Sequence, residues 1–194
     1  LKWNRLKNLQ VISKTSILGY AIPGAIIGIG VMVFGQFFVD FFFENYDLKI
    51  GHWIYGSILL LIYAYIVRFL AIAYSPIEAN TLKIGNYLAE SAHLLGESRI
   101  KTFFKVEFPL LKTGIVSAII LVFIDILKEL PLTLILKPYT VQTLAIKAYE
   151  NAENGEVEKA ALPALLIIFT AIVFIFLLNF LKTGSTQYAM GVLF

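Results

Sequence analysis

Glu90-Ser91-Ala92-His93-Leu94-Leu95-Gly96, followed after nine residues by Val106-Glu107-Phe108-Pro109, is a patterned polar module set between long apolar segments. Lys83, Arg99, Lys101 and Lys105 lie in the same loop, with Lys112 beside it, which makes it the most basic stretch between two hydrophobic runs. A basic loop beside apolar runs marks the cytoplasmic face of a membrane. The chain around it has the composition that reading needs. Of its residues 59% are hydrophobic and only 15% are charged, far from the balance of a water-soluble domain. The net charge of +3 decides nothing by itself, because orientation follows the lysines and arginines that flank the spans. The absence of cysteine excludes disulfides, thiolate metal sites and cysteine nucleophiles.

Windows of about nineteen residues predict four spans, roughly Ser16–Val39, Trp53–Ser75, Leu110–Leu127 and Ala160–Leu181. Each approaches or exceeds the ~20 residues that cross the hydrocarbon core. Lys2, Arg5, Lys7 and Lys14 precede the first span and place that flank in the cytoplasm, on the side of the basic loop. The acidic connection from Asp40 to His52 and the segment from Lys128 to Lys159 are then external. Leu1 is no initiator methionine, and the first apolar run starts late and is too long for a signal-peptide core. The chain therefore reads as a fragment of a longer one.

Between Pro76 and Pro109 the apolar residues Leu82, Tyr87, Leu88, Ala92 and Leu95 recur at helical steps, and Ile100, Phe103, Phe104 and Phe108 resume the stripe after Gly96. That pattern predicts helix, turn and helix. Gly96 suits the positive φ that ends the first helix, and Pro109 suits the opening turn of the third span. On periodicity alone the hairpin could equally lie flat in the membrane interface, with its aromatics among the headgroups and its lysines in water.

The spacing Glu-x-Ala, three residues, Gly, nine residues, apolar-x-apolar-Pro resembles the loop of permease subunits of ATP-binding-cassette importers. The residues that carry it are Glu90, Ala92, Gly96, Val106, Phe108 and Pro109, with Ser91 where alanine is more usual and Phe108 where leucine is. A second set looks like the carboxy-terminal half of iron(III)-type permeases. It comprises Gly19-Tyr20-Ala21-Ile22-Pro23-Gly24, Lys128-Glu129-Leu130-Pro131 with the residues onward to Tyr139, Thr143-Leu144-Ala145, Ala148-Tyr149-Glu150 and Ala160-Ala161-Leu162-Pro163-Ala164.

The resemblance implies an all-α integral membrane protein of the type I importer kind, with about four spans in this fragment and a cytoplasmic coupling helix. Residues 1–194 would form a single permease domain, and 76–109 its coupling loop, which docks on a cytoplasmic ATPase through the residues around Glu90, Ser91, Ala92 and Gly96. The implied protein is a non-catalytic multi-pass component of the bacterial inner membrane. It moves ferric iron from a periplasmic binding protein to the cytoplasm by alternating access. It binds no cofactor of its own, ATP and Mg belonging to the partner ATPase. A second permease half completes the pathway.

Charged residues within or beside the spans are candidates for that pathway. Arg68 falls in the cytoplasmic half of the second predicted span, where a charge is either functional or snorkels to the interface. Asp125, Lys128 and Glu129 precede Pro131, which restricts Leu130 and breaks the helix. These residues either line the pathway or pair internally, Asp125 with Lys128 or Lys128 with Glu129. Pro23 with Gly24, Gly28, Gly30 and Gly35 permits close helix contact or local opening in the first span. Tyr139, Tyr149, Glu150, Glu153, Glu156 and Glu158 offer hard oxygen donors. Solvated, capping or binding-protein-facing roles explain them better, and no metal site is assigned. His52 and His93 fall on opposite sides.

The chain has no Gly-x-x-x-x-Gly-Lys-Ser/Thr loop and no His-Glu-x-x-His pair, so it supplies neither ATP hydrolysis nor a zincin site. Dispersed basic residues exclude nucleic-acid binding. The alternatives are the same class carrying thiamine, a polyamine or an inorganic oxyanion, a secondary transporter fragment driven by an ion gradient, and a membrane scaffold without transport.

Overall fold

The computed structural model describes residues 20–55, 57–84, 91–92, 94 and 96–191, and their side chains apart from those of 52, 82–84 and 182–191. Glu90, His93, the side chain of His52 and the basic flank before Tyr20 lie outside that description. The helices are α1 (Gly24–Tyr46), α2 (Gly51–Tyr55), α3 (Leu59–Ile84), α4 (Arg99–Thr102), α5 (Phe108–Lys128), α6 (Pro131–Leu136), α7 (Leu144–Glu153) and α8 (Val157–Gly191), with a π turn at Phe103–Glu107 joining α4 to α5.

Among the described residues four segments are long and apolar enough to cross a bilayer: Gly24–Tyr46, Leu59–Thr81, Arg99–Lys128 and Val157–Leu181. The number of spans is the one expected from hydropathy, and their bounds move for local reasons. Helix α1 begins at Gly24 with Pro23 as its N-cap, the Pro23 carbonyl accepting from the Ile26 and Ile27 amides at 3.0 and 3.3 Å, while the expected start at Ser16 lies outside the described residues. The second begins at Leu59 because Gly51–Tyr55 forms a short helix of its own, and it runs through Pro76 to Ile84. Arg68 is therefore nearer the Leu59 end.

The third span differs most from expectation. Pro109 stands in the first turn of α5, as expected, but helical backbone continues upstream of it to Arg99. A proline inside a helix lacks the N–H for the preceding turn, and its ring collides with the carbonyl four residues back. Here the π turn immediately before Pro109, closed by the Phe108 amide on the Phe103 carbonyl, widens the backbone at that place and lets the helix pass. The expected break at Pro131 is present. Helix α5 ends at Lys128, and α6 starts with Pro131 in its first turn, where the missing N–H costs nothing.

The chain divides into two compact units. The first comprises the described residues up to Ala71 together with Ile124–Ala171. Its core joins Ile27 and Val31 of α1, Leu61 and Ala64 of α3, and Leu132 and Leu136 of α6. Leu61, Ala64, Tyr65, Arg68 and Ala71 recur at steps of three and four, so one face of α3 turns inward. Ile62, Tyr63, Ile66 and Leu70 on its other side are exposed, as a lipid-facing stripe would be. Helix α6 is buried against α1 and α3, so the part of the supposed external segment that follows Pro131 returns into the apolar core.

The second unit comprises Ile72–Phe123 and the described residues from Ile172 onward. There Gly114 of α5 faces Asn80 and the Pro76 carbonyl of α3, an approach so close that an added Cβ would lie 2.4 Å from Asn80 Nδ2. Asn80 in turn donates to the Pro76 carbonyl at 3.3 Å. Phe123 and Phe174 pack in a tilted arrangement with ring centroids 4.7 Å apart. In this part of α8, Phe176 and Phe180 project outward.

Candidate functional site

In the first unit the two charges singled out separately by sequence are partners. Arg68 Nε donates to Glu129 Oε2 at 3.1 Å, and the two side chains retain only 16% and 8% of their accessible surface. Isolated charges in such surroundings are costly, and pairing with further hydrogen bonds is how the cost is reduced. Each has those further bonds. Arg68 Nη1 donates to the Ile22 carbonyl at 2.9 Å, just before α1. Glu129 Oε1 accepts from the Leu132 amide at 3.2 Å, which satisfies one of the orphan donors in the first turn of α6.

The Glu129 carbonyl, freed by the helix break, accepts from Thr133 Oγ1 at 2.9 Å, and Thr133 Oγ1 lies 2.6 Å from the Tyr65 hydroxyl. The result is one connected network from Ile22 through Arg68, Glu129 and Thr133 to Tyr65. Among the described residues no buried side-chain nitrogen or oxygen is left without a partner. Gly24 is what brings α1 so close, since a Cβ there would lie 2.6 Å from Glu129 Oε1 and 3.1 Å from Arg68 Cζ.

Asp125 and Lys128 pair with each other at 2.5 Å, one of the two internal pairs the sequence left open, while Glu129 turns away from Lys128 to Arg68. Lys128 remains largely exposed and Asp125 is mostly covered. Pro131 is exposed at the break. Tyr65 and Thr133 were not anticipated. The usable signal was that Arg68 and Glu129 are opposite charges in apolar surroundings, which predicts a pair but not its hydroxyl extension.

Outside the spans, the Tyr55 hydroxyl lies 3.1 Å from Gln36 Oε1 and 3.3 Å from the Met32 carbonyl. Burial, and secondly the Asp40 charge, push its pKa above the ordinary tyrosine value. In the segment after α6, Asn154-Gly155 forms the expected turn, with Gly155 at φ +76°. Glu158 occupies the first turn of α8, and Glu156 binds Lys159 at 2.7 Å. Acidic groups there complement the helix dipole. Glu150 pairs with Lys137 at 3.4 Å, and Tyr139 is fully exposed. Among the described residues no three His, Cys, Asp or Glu side chains are grouped to hold a metal ion.

In the second unit, Ser91, Ala92 and Leu94 are helical, and Gly96 follows at φ +86°. The Glu97 amide donates to the Ala92 carbonyl at 3.1 Å, the six-to-one bond of a Schellman cap with Gly96 in its left-handed position. The turn is then braced by charge, Glu97 binding Lys105 at 2.8 Å and lying 3.9 Å from Lys101. Leu94 is 89% exposed and Ile100 73%, so apolar side chains project on either side of the turn. Val106 is half-buried and Phe108 and Pro109 are exposed. Glu90, the first residue of the motif, lies outside the described residues.

These features define a polytopic helical membrane protein with a capped, basic interhelical turn and a buried charge network at a helix break. The family of binding-protein-dependent transport system inner membrane components matches residues 10–185, and the chain belongs to it. Among its relatives are the Fe(3+)-transport system permease protein FbpB 2 of Haemophilus influenzae, 24% identical across 87% of this chain and 31% of its own length. The ferric transport system permease protein FbpB of Actinobacillus pleuropneumoniae is 25% identical across 89% of this chain and 26% of its own. The probable sulfate transport system permease protein cysT of Chlorokybus atmophyticus is 23% identical across 92% of this chain and 63% of its own length. The chain thus spans less than a third of the ferric permeases it matches. No solved structure matches it.

Proposed function

We propose that this chain is one half of the permease of an ATP-driven bacterial importer, which receives ferric iron from a periplasmic binding protein and releases it to the cytoplasm by alternating access. The observation that carries the ATP-driven part is the turn at Gly96. A positive-φ cap, braced by Glu97, Lys101 and Lys105, holds the exposed Leu94 beside a helix that runs without interruption into the third span. A push received at such a turn passes into the span along the helical backbone that runs from Arg99 to Lys128. In this reading Glu90, Ser91, Ala92 and Gly96 dock on the ATPase, and Val106, Phe108 and Pro109 join the docking helix to the membrane. ATP and Mg are held by that partner, whose hydrolysis cycle drives the change of access.

Iron as cargo is supported by the names of the ferric relatives, which align over most of this chain. Asp125 and Lys128 would border the pathway beside the break at Pro131, and a second permease half would complete it. The sulfate relative, aligned over 92% of this chain, favours an inorganic oxyanion as the second reading.

The test is ATP hydrolysis by the full-length complex in lipid vesicles, with binding protein empty, ferric-loaded or sulfate-loaded. Stimulation by the ferric form that is lost in Gly96→Asp, while membrane insertion persists, is the expected result. Stimulation by sulfate alone would replace iron with the oxyanion. Failure of any ATPase subunit to assemble would refute the importer class.

A further inference from the structure

A glutamate beside a membrane break in a ferric permease invites assignment as an iron ligand, and the geometry points elsewhere. Both Glu129 oxygens are occupied within the protein, Oε2 by Arg68 and Oε1 by the Leu132 amide. Arg68 closes the arrangement by holding the Ile22 carbonyl. Three pieces of chain meet at this pair: Ile22, just before the N-cap of α1, the central part of α3, and the first turn of α6. Helix α6 is too short to hold its own conformation, since a six-residue helix is well below the length at which isolated helices persist. Its position must come from packing and from the bonds at its amino end. Leu132 and Thr133 are fully buried there, so a shift of this segment would expose apolar surface and open the wall beside Asp125 and Lys128.

We propose that Arg68 and Glu129 are a membrane-embedded charge clamp, a pair of positioning residues that keep α6 seated on α1 and α3, and that Glu129 is not a ligand of the transported ion. The inference rests on the permease reading above for its transport consequence, but its structural part does not. Because each charge neutralises the other, loss of either one strands its partner in apolar surroundings, and loss of both together is milder. A cargo ligand behaves in the opposite way, since removing the arginine as well cannot restore a missing carboxylate.

The test compares Arg68→Gln, Glu129→Gln and the double variant in the full-length permease. These 194 residues contain no cysteine, so in a full-length permease in which any other cysteine is replaced, Leu136→Cys at the far end of α6, where Leu136 is buried at 7% exposure, reports on α6 through labelling by a membrane-impermeant maleimide. In lipid vesicles with the ATPase and the ferric-loaded binding protein, the second readout is iron ions moved per ATP hydrolysed. That ratio would be unchanged by a substitution that merely lowered the amount of folded protein.

In both single variants the labelling rate is expected to rise at least tenfold over the parent, and the ions moved per ATP to fall at least fivefold. In the double variant both are expected to return to within about twofold of the parent, the glutamine at 129 still accepting from Leu132. A double variant no better than Glu129→Gln, or single variants with the parent's labelling, would overturn the clamp. A parent complex with no ATP-linked iron uptake would sink the iron-import reading instead, while the labelling would still decide the clamp.

Discussion

Gly24 and Gly30 lie on the same helix, and the structure assigns them opposite responses to the same substitution. At Gly30 an added Cβ meets nothing within 4 Å, so Gly30→Ala should stabilise the helix by about 0.4–1 kcal/mol through lost freedom of the unfolded chain. At Gly24 the new methyl would lie 2.6 Å from Glu129 Oε1, where ordinary contact starts at 3.4 Å, so the carboxylate must retreat by the difference of 0.8 Å. It is not free to do so cheaply, because its oxygens hold the Leu132 amide at 3.2 Å and Arg68 at 3.1 Å. Overpacking of this kind costs ~1–3 kcal/mol, against a gain of at most ~1 kcal/mol from losing glycine. The net expectation for Gly24→Ala is destabilisation by up to roughly 2 kcal/mol. The assay is reversible unfolding of the full-length permease in mixed micelles of mild detergent and SDS, followed by tryptophan fluorescence. Gly24→Ala should unfold at lower SDS than the parent and Gly30→Ala at the same or higher. If Gly24→Ala matched Gly30→Ala, the close approach of α1 to the ion pair, and the network built on it, would be refuted.

Other expectations use the same unfolding measurement. Tyr65→Phe removes the hydroxyl 2.6 Å from Thr133 while Thr133 keeps its bond to the Glu129 carbonyl, so the loss should be about 0.5–1.5 kcal/mol; no loss would remove Tyr65 from the network. Gly114→Val places side-chain carbon against Asn80 and the Pro76 carbonyl and should cost at least ~1–3 kcal/mol, whereas an unchanged midpoint would disprove the contact of α3 with α5. Thr143→Ala deletes the oxygen that accepts from the Ile146 amide at 3.3 Å, and a loss of about 1 kcal/mol is expected for a working N-cap.

The all-helical membrane class and the four spans were legible because hydrocarbon imposes a length and a polarity that no neighbour can alter. The cap at Gly96, the turn at Asn154-Gly155 and the break at Pro131 were legible for a related reason. Each depends on the backbone chemistry of one or two residues, glycine at positive φ and proline without an amide hydrogen. Pro109 shows where this locality ends. Its own chemistry puts it in the first turn of α5, but the π turn before it extends the helical backbone upstream to Arg99, and nothing in the individual residues of Phe103–Glu107 announces that turn.

What the amino-acid sequence determined alone was therefore everything set within a turn or two of chain: which segments leave water, where they bend, and which loop carries the importer-like spacing. The tertiary structure alone decided that Arg68 belongs to Glu129, separated from it by sixty-one positions, and that Leu132, Thr133 and Leu136 after Pro131 return to the core instead of facing solvent. Both outcomes arise from one requirement. A buried charge must find its partner among whatever groups the packing of helices brings near, and that neighbour is a property of three-dimensional proximity, which spacing along the chain does not encode.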